Sequence, residues 1–262
     1  MKWHRIKAIL IRNLYLNKRS FPRMLDIFFW PIMTMFLWGF MSLYLEKTNF
    51  SGFNIVALLL GAVLLWEVLN ESIHAVSIGF LEEIWEKNLL NIFVTPLKVS
   101  EFLASTVLLG LVRTAIIGII MTILAFIAYS FNIFSLGFYL IPFILNLLIF
   151  GWAIGFVAIA IILRYGTSAQ VLAFGITFLL QPFTAVFYPV SILPKVVQYI
   201  SLALPSTHVF EGMRTVVSTG HLSTFNLLMA FGLNIAYLTL AILFFHKMFS
   251  RIKEKGLLLK LN

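Results

Sequence analysis

Long runs without a charged residue constrain this chain more than any other feature, and they include residues 27–45, 48–66, 114–163 and 165–194. A helix needs roughly 20 apolar residues to cross the hydrocarbon core of a membrane, so each run allows one crossing and the third allows two. Hydrophobic residues make up 61% of the chain and charged residues 11%, well outside the composition of soluble proteins. The sequence therefore predicts a single all-α membrane domain over residues 1–262, with no room for a soluble catalytic domain.

Six membrane-spanning helices are predicted, at about residues 25–45, 53–80, 102–128, 140–163, 171–187 and 225–245. Lys and Arg residues concentrate on one side of this topology. That side holds seven in the amino-terminal tail, two in the loop after span two, one at Arg164 and five in the tail 246–262; the other side holds Lys47, Lys195 and Arg214. Because basic loops remain in the cytoplasm, both termini are predicted cytoplasmic, in a cell inner (plasma) membrane.

One polar interruption, residues 82–101, separates the second and third predicted spans. Its charged residues are Glu82, Glu83, Glu86, Lys87, Lys98 and Glu101. Residues 82–96 predict a short amphipathic helix with a solvent-exposed acidic side, ended by Pro96 because proline lacks an N–H and disfavours helix in the residue before it. The stretch is either a solvated loop between two membrane helices or a docking element for a soluble partner.

The amino-terminal residues 1–23 predict a helix that lies in the lipid headgroup layer. Arg5, Arg12 and Arg19 recur every seven residues on one helical side, and Trp3 and Ile6 belong to another side. This pattern places the arginines on lipid phosphate. A net charge of +9 also suits nucleic acid, but its placement favours the membrane surface, so membrane lipid is the expected partner and nucleic acid is not.

Residues 182–224 contain half of the eight prolines of the chain. A straight helix does not accommodate them, so residues 188–218 predict short re-entrant helices on the outer side, where protein or a water-filled cavity must satisfy the irregular backbone. Glu211 and Arg214 are three residues apart and are predicted to pair with each other. The residues singled out in this segment are Pro189, Pro194, Pro205, His208, Glu211 and Arg214.

Two segments of the chain resemble, in order and spacing, the ABC-2 type exporter permeases. The acidic pair at residues 82–83, Leu89-Leu90, Thr95-Pro96-Leu97 and the run 100–103 resemble the loop after the second span, which in that family is a coupling helix seated in a groove of the ATPase subunit. Residues 186–194, 204–208 and 211–214 resemble the short outer helices before the last span. One difference is that Lys87-Asn88-Leu89-Leu90 stands where the family often has Gly-Thr-Leu-Glu before the leucine pair.

The resemblance implies the membrane subunit of an ATP-driven exporter of drugs, lipids or lipid-linked oligosaccharides and polysaccharides. It implies a homodimer of this chain with two ABC ATPase subunits, which carry ATP and Mg. The residues it assigns to ATPase coupling are Glu82, Glu83, Glu86, Leu89, Leu90, Thr95 and Pro96, with Arg164 as a second small contact. The chain has no GxxxxGK[ST] stretch, so a separate chain must hold the ATP phosphates.

Four polar residues of span two share one helical face: Glu67, Asn70, Glu71 and His74. Ionisable groups inside a membrane suggest function. They form a polar patch on a translocation path, a proton-coupling site as in an ion-coupled secondary transporter, or a structural cluster paired with Arg113 of span three. No catalytic set is recognisable, and the scattered histidines lack metal-site spacing, so neither an enzyme nor a metal protein is predicted.

Overall fold

The computed structural model describes residues 1–48 and 54–254, and within these ranges the chain is built from α-helices joined by short turns. The α-helices in chain order are α1 (Trp3–Arg19), α2 (Phe21–Lys47), α3 (Ile55–Trp85), α4 (Leu89–Val94), α5 (Val99–Tyr129), α6 (Leu140–Tyr165), α7 (Val171–Leu180), α8 (Lys195–Leu202), α9 (Pro205–Thr219) and α10 (Thr224–Glu254). Turns of 3₁₀ helix cover Ile133–Tyr139, Gly166–Ala169, Gln181–Phe183 and Val190–Ile192.

Five helical segments of the described residues are long and apolar enough to cross a membrane. They are Phe21–Lys47, Ile55–Trp85, Val99–Tyr129, Ile133–Tyr165 and Thr224–Ile252. They overlap the first four predicted spans and the sixth. The third of these helices also contains Glu101, whose carboxylate accepts a hydrogen bond from the backbone N–H of Lys98 at 3.0 Å and so caps its start.

The predicted fifth span, residues 171–187, differs from the structure. Its apolar helical segment is Val171–Phe183, which is about 20 Å long and shorter than the roughly 30 Å hydrocarbon core. Pro182 cannot donate the next backbone hydrogen bond, and the chain leaves the helix with a positive φ of 51° at Ala185. The six-span count is therefore not confirmed by helix length.

Helix α3 forms the centre of the bundle. Of the 18 residues in its apolar segment, 83% are buried, whereas the buried share is 22% in the corresponding segment of α2 and 17% in that of α10. Glycines bring its neighbours close: a Cβ on Gly151 of α6 would lie 2.4 Å from the Cβ of Ser72, and one on Gly155 would lie 2.7 Å from that of Val76. Small residues four apart allow this close backbone approach, which drives helix association in membranes.

A buried amide pair joins α6 to α10. The Nδ2 of Asn234 donates to Oδ1 of Asn146 at 2.8 Å and to the backbone oxygen of Asn146 at 3.0 Å. Both side chains are at most 1% exposed. Because neither amide has water as an alternative partner there, the pair fixes the two helices in register.

Candidate functional site

Three arginines of the amino-terminal segment bind carboxylates of the 82–101 stretch. The ion pairs are Arg5–Glu101 (3.5 Å), Arg12–Glu83, Arg12–Glu86 (3.7 Å), Arg23–Glu82 (3.3 Å) and Arg23–Glu86. Arg5 also donates to the backbone oxygen of Pro96, and the backbone N–H of Lys2 donates to Glu101 at 2.7 Å. We call this set of contacts the arginine latch.

The arginine latch corrects two expectations from the sequence. Arg5 and Arg12 bind protein carboxylates where lipid phosphate was expected, whereas Arg19 is exposed. The acidic side of the stretch is only partly exposed, because Glu83 and Glu101 are 3% and 0% exposed. The physical reason is that a planar guanidinium forms strong, charge-assisted contacts with a carboxylate that water no longer covers.

The short helix of this stretch is α4, Leu89–Val94, and it is shorter than the predicted 82–96. Glu82 and Glu83 belong to the last turn of α3, since no helix-breaking residue precedes Lys87. Lys87 then adopts a positive φ of 52°, and the side-chain amide of Asn88 donates to Glu83 at 2.7 Å. The residues predicted as one coupling helix are thus divided between α3 and α4.

The exposed part of the stretch overlaps the predicted docking residues at Glu86, Thr95 and Pro96. Leu89 is 0% exposed, and the side chain of Leu90 lies outside the described residues. The exposed side chains from Trp85 to Pro96 are Trp85, Glu86, Lys87, Asn91, Val94, Thr95 and Pro96, which we call the tip surface; Lys98 and Ser100, farther along the stretch, are exposed as well. Val94, at 85% exposed, is the most exposed apolar residue of the tip surface, and its only signal in the sequence is its place before Thr95-Pro96.

Arg164 lies at the same end of the bundle as the tip surface. It is exposed at the end of α6, with its guanidinium 5.1 Å from the ring centroid of Tyr165. The turn that follows it contacts the end of α3, where Trp85 Nε1 donates to Gln170 at 3.3 Å and the indole stacks on Phe174 at 6.1 Å. Arg164 is therefore free to contact a molecule bound at this end.

The polar residues of α3 divide between two neighbouring helices. Arg113 Nε of α5 lies 2.5 Å from Glu71 Oε1, whereas His74 Nε2 lies 3.2 Å from the Thr177 hydroxyl of α7. Asn70 donates to Glu67 at 3.3 Å, within α3 itself. The structure thus contains the predicted ion pair with Arg113, and it gives His74 a hydrogen-bond partner on α7. In the described part of the chain, no group of three His, Cys, Asp or Glu residues could hold a metal ion.

The outer segment satisfies its irregular backbone with its own side chains. Arg214 donates to the backbone oxygens of Ala185 and Val186 at 2.8 and 3.1 Å, and it pairs with Glu211 at 3.0 Å as predicted. Glu211 in turn accepts from the backbone N–H of Val190 at 2.8 Å. These contacts hold the backbone of residues 185–190 against α9.

Prolines and a histidine complete the outer segment. Pro189 precedes the turn Val190–Ile192, Pro194 precedes α8, and Pro205 occupies the first turn of α9, so each marks an element boundary. His208, 3% exposed, contacts the backbone oxygen of Leu202 at 2.9 Å and the side chain of Asn226 at 3.3 Å. In the structure the three prolines therefore lie at element boundaries, and His208 joins the end of α8 to the start of α10.

The family model for the ABC-2 type transporter matches residues 4–217 of the chain. The matched range begins in α1 and ends in α9, so it includes the three arginines of the latch, the tip surface and the outer segment up to residue 217. The comparison with curated proteins gives no match.

Proposed function

The chain belongs to the ABC-2 type transporter family, and from this premise we propose that it is the permease subunit of an ATP-driven exporter. It acts as a homodimer with two separate ATPase subunits that bind ATP and Mg. Its cargo is a drug or an amphiphilic, lipid-linked or polysaccharide molecule, and it moves out of the cytoplasm or the inner leaflet. Transport, with no chemistry on this chain, is the function that a membrane domain of this family supports.

The arginine latch is the observation that carries this proposal. Its ion pairs join α1 and the start of α2 to the end of α3, and they join α1 to the start of α5. The tip surface lies at the end of this unit. A force on the tip surface therefore reaches α3, the most buried of the long helices, through ion pairs and a continuous helix. A motor protein that closes on ATP needs this kind of rigid connection to move a transport path.

The proposed orientation has the tip surface and both termini in the cytoplasm of a plasma membrane. This topology requires an even number of crossings, and α7 with the residues after it supplies the sixth. Support comes from contacts at the two ends of this segment. At its start, Gln170 accepts a hydrogen bond from Trp85 at the end of α3. At its other end, Phe187 stacks on Trp38 at 3.8 Å, and the backbone oxygen of Phe183 accepts from the Ser201 hydroxyl at 2.5 Å. Residues 255–262 of the predicted cytoplasmic tail lie outside the described residues.

Substitution of Val94 by Arg tests the proposed docking. The chain is expressed with candidate ATPases encoded near it, purified through a tag on the permease, and assayed for bound ATPase and ATP hydrolysis. The parent chain is expected to retain an ATPase. Val94→Arg is expected to reduce the bound fraction about tenfold or more, because a buried charge without a partner costs an interface several kcal/mol.

Phe138→Arg is the matched control. Phe138 is 89% exposed, as Val94 is 85% exposed, but it lies in the turn between α5 and α6, at the opposite end of α5 from the tip surface. This variant is expected to bind the ATPase like the parent. Equal binding by the parent, Val94→Arg and Phe138→Arg would contradict docking at the tip surface, and failure of every candidate ATPase to bind the parent would contradict the proposal itself.

A further inference from the structure

A cavity of about 540 Å³ lies between α3, α5 and α6, away from the tip surface. Its lining is almost entirely apolar and includes Leu64, Val68, Gly118 and Ile144. Ile119 and Phe134, which also line it, are 60% and 68% exposed. These exposed apolar residues belong to a membrane-spanning bundle, so the cavity opens sideways to lipid. Its volume lies within the range of sites that hold drug-sized ligands.

The wall that α5 contributes to this cavity contains one buried polar side chain, Thr114. The hydroxyl of Thr114, a lining residue only 8% exposed, has no hydrogen-bond partner in the described structure. A second cavity of about 10 Å³ shares Leu64, Val68, Thr114 and Gly118 with the first and is also lined by Glu67. Glu67 therefore lies next to the Thr114 wall of the large cavity, on the side of the smaller one.

Glu67 differs from the neighbouring Glu71 in having no cationic partner among the described residues. Glu71 has Arg113 at 2.5 Å, whereas Glu67 contacts only the neutral amide of Asn70 at 3.3 Å. Of these two buried carboxyl groups, only that of Glu71 has a guanidinium beside it. A carboxylate inside a membrane is costly without a positive partner, so this wall favours a cation over a neutral or anionic molecule of the same shape.

We propose that this cavity is a lateral binding site for a lipophilic cation of drug size. The apolar groups of the ligand fill the space between α3, α5 and α6, and its positive charge lies toward Thr114 and Glu67. The site is built by a single copy of the chain and is separate from the tip surface. Binding there requires no ATPase, so it stands or fails independently of the proposed export.

Binding of radiolabelled tetraphenylphosphonium to the purified chain in lipid nanodiscs tests the proposal, with empty nanodiscs subtracted. Radiolabelled tetraphenylborate, which has nearly the same shape and the opposite charge, is assayed in a separate sample, because the two ions form an insoluble salt when they are mixed. Saturable binding of one phosphonium per chain is expected, and no saturable binding of tetraphenylborate. Glu67→Gln is expected to weaken the affinity at least about tenfold, because among the described residues it removes the carboxyl group at this wall that can ionise beside a bound cation.

Two substitutions fill the cavity without touching Glu67. A Cβ on Gly118 meets no atom within 4 Å, so Gly118→Leu places its side chain in the open space, and Ala115→Leu does the same from an exposed lining position. Both are expected to abolish saturable binding. Gly232→Leu is the matched control, since a Cβ on Gly232 of α10 also meets nothing within 4 Å and points elsewhere.

Three results would overturn the proposal. The first is no saturable binding above that of empty nanodiscs. The second is unchanged binding in whichever of Gly118→Leu and Ala115→Leu is recovered as a monodisperse protein. The third is equal affinity of the parent and Glu67→Gln for the phosphonium together with equal binding of tetraphenylborate, which would make the site a nonspecific hydrophobic surface.

Discussion

At the scale of single residues, Glu71 and Arg113 form an ion pair at the centre of the bundle. Their charged groups lie 2.5 Å apart, with Glu71 5% exposed, between the two helices α3 and α5. Removing one member of a buried pair leaves an uncompensated charge, whereas replacing both members removes the problem altogether. The pair therefore has a structural role that can be measured apart from any role in transport.

Glu71→Gln alone is expected to lower the yield and thermal stability of the purified chain, by roughly 3–5 kcal/mol in the free energy of unfolding. The double variant Glu71→Gln with Arg113→Met is expected to recover most of that loss. Glu46→Gln, at an exposed glutamate near the end of α2, is the control and should behave like the parent. Yield and unfolding temperature in one detergent provide the measurement.

A different outcome would favour one of the other interpretations of the cluster. If Glu71→Gln folds like the parent and abolishes transport by the assembled exporter, Glu71 acts on the transport path. Proton coupling would require in addition that a proton gradient drive transport by this chain alone. In the structure His74 hydrogen-bonds the Thr177 hydroxyl of α7, whereas Glu71 pairs with Arg113 of α5.

At the scale of elements, the arginine latch makes α1 part of the membrane domain. Asn13 of α1 is 9% exposed and lines a small cavity together with Glu82 and Glu83. The chain contains no cysteine, so a single cysteine at this position reports on contact between α1 and the end of α3. Its reactivity depends on how often that contact opens.

Asn13→Cys is expected to react slowly with a membrane-impermeant maleimide in the purified chain. Adding Arg12→Glu should increase the rate at least about tenfold, because like charges then face each other across the contact. Adding Glu83→Arg as well reverses the pair and should restore the slow rate. Tyr15→Cys, at a residue 59% exposed, should react fast in every background, and equal rates in all three Asn13→Cys proteins would contradict the latch.

The sequence predicts the long helices of this fold better than their contacts. Length and apolar content are local properties, so Ile55–Trp85 and Val99–Tyr129 follow from hydropathy alone. The acidic side of the 82–101 stretch was predicted to be exposed because its partner Arg12 lies 71 residues from Glu83 in the chain. Likewise, no local pattern relates Asn146 to Asn234, 88 residues away.

Glycine spacing in the sequence also predicts helix packing, and a hydropathy profile does not detect it. Gly151 and Gly155 are four residues apart in an apolar helix, the pattern that favours close helix packing in membranes. It would have predicted the contact of α6 with a partner helix, though not that the partner is α3. The exposure of Val94 could not be predicted from the sequence, because it depends on how α3 and α5 are placed on either side of α4.

For the whole molecule, the direction of the chain through the membrane decides whether the tip surface can reach an ATPase. Three exposed positions define it: Asn91 on the tip surface, Ser168 in the turn after α6, and His221 after α9. Single cysteines at these sites are each the only thiol in the chain. A membrane-impermeant maleimide then labels, in intact cells, only the residues on the outer side.

Asn91→Cys and Ser168→Cys are expected to react only after the membrane is permeabilised, and His221→Cys is expected to react in intact cells. Between Ser168 and His221 the described helices are α7, α8 and α9, each shorter than a full crossing. Opposite sides for these two sites would therefore show that α7 and the residues after it cross the membrane together, making the sixth span. The same side for both would leave five crossings and place the two termini on opposite faces. Labelling of Asn91→Cys in intact cells would contradict the export proposal, because an ATPase that uses cytoplasmic ATP could not reach the tip surface.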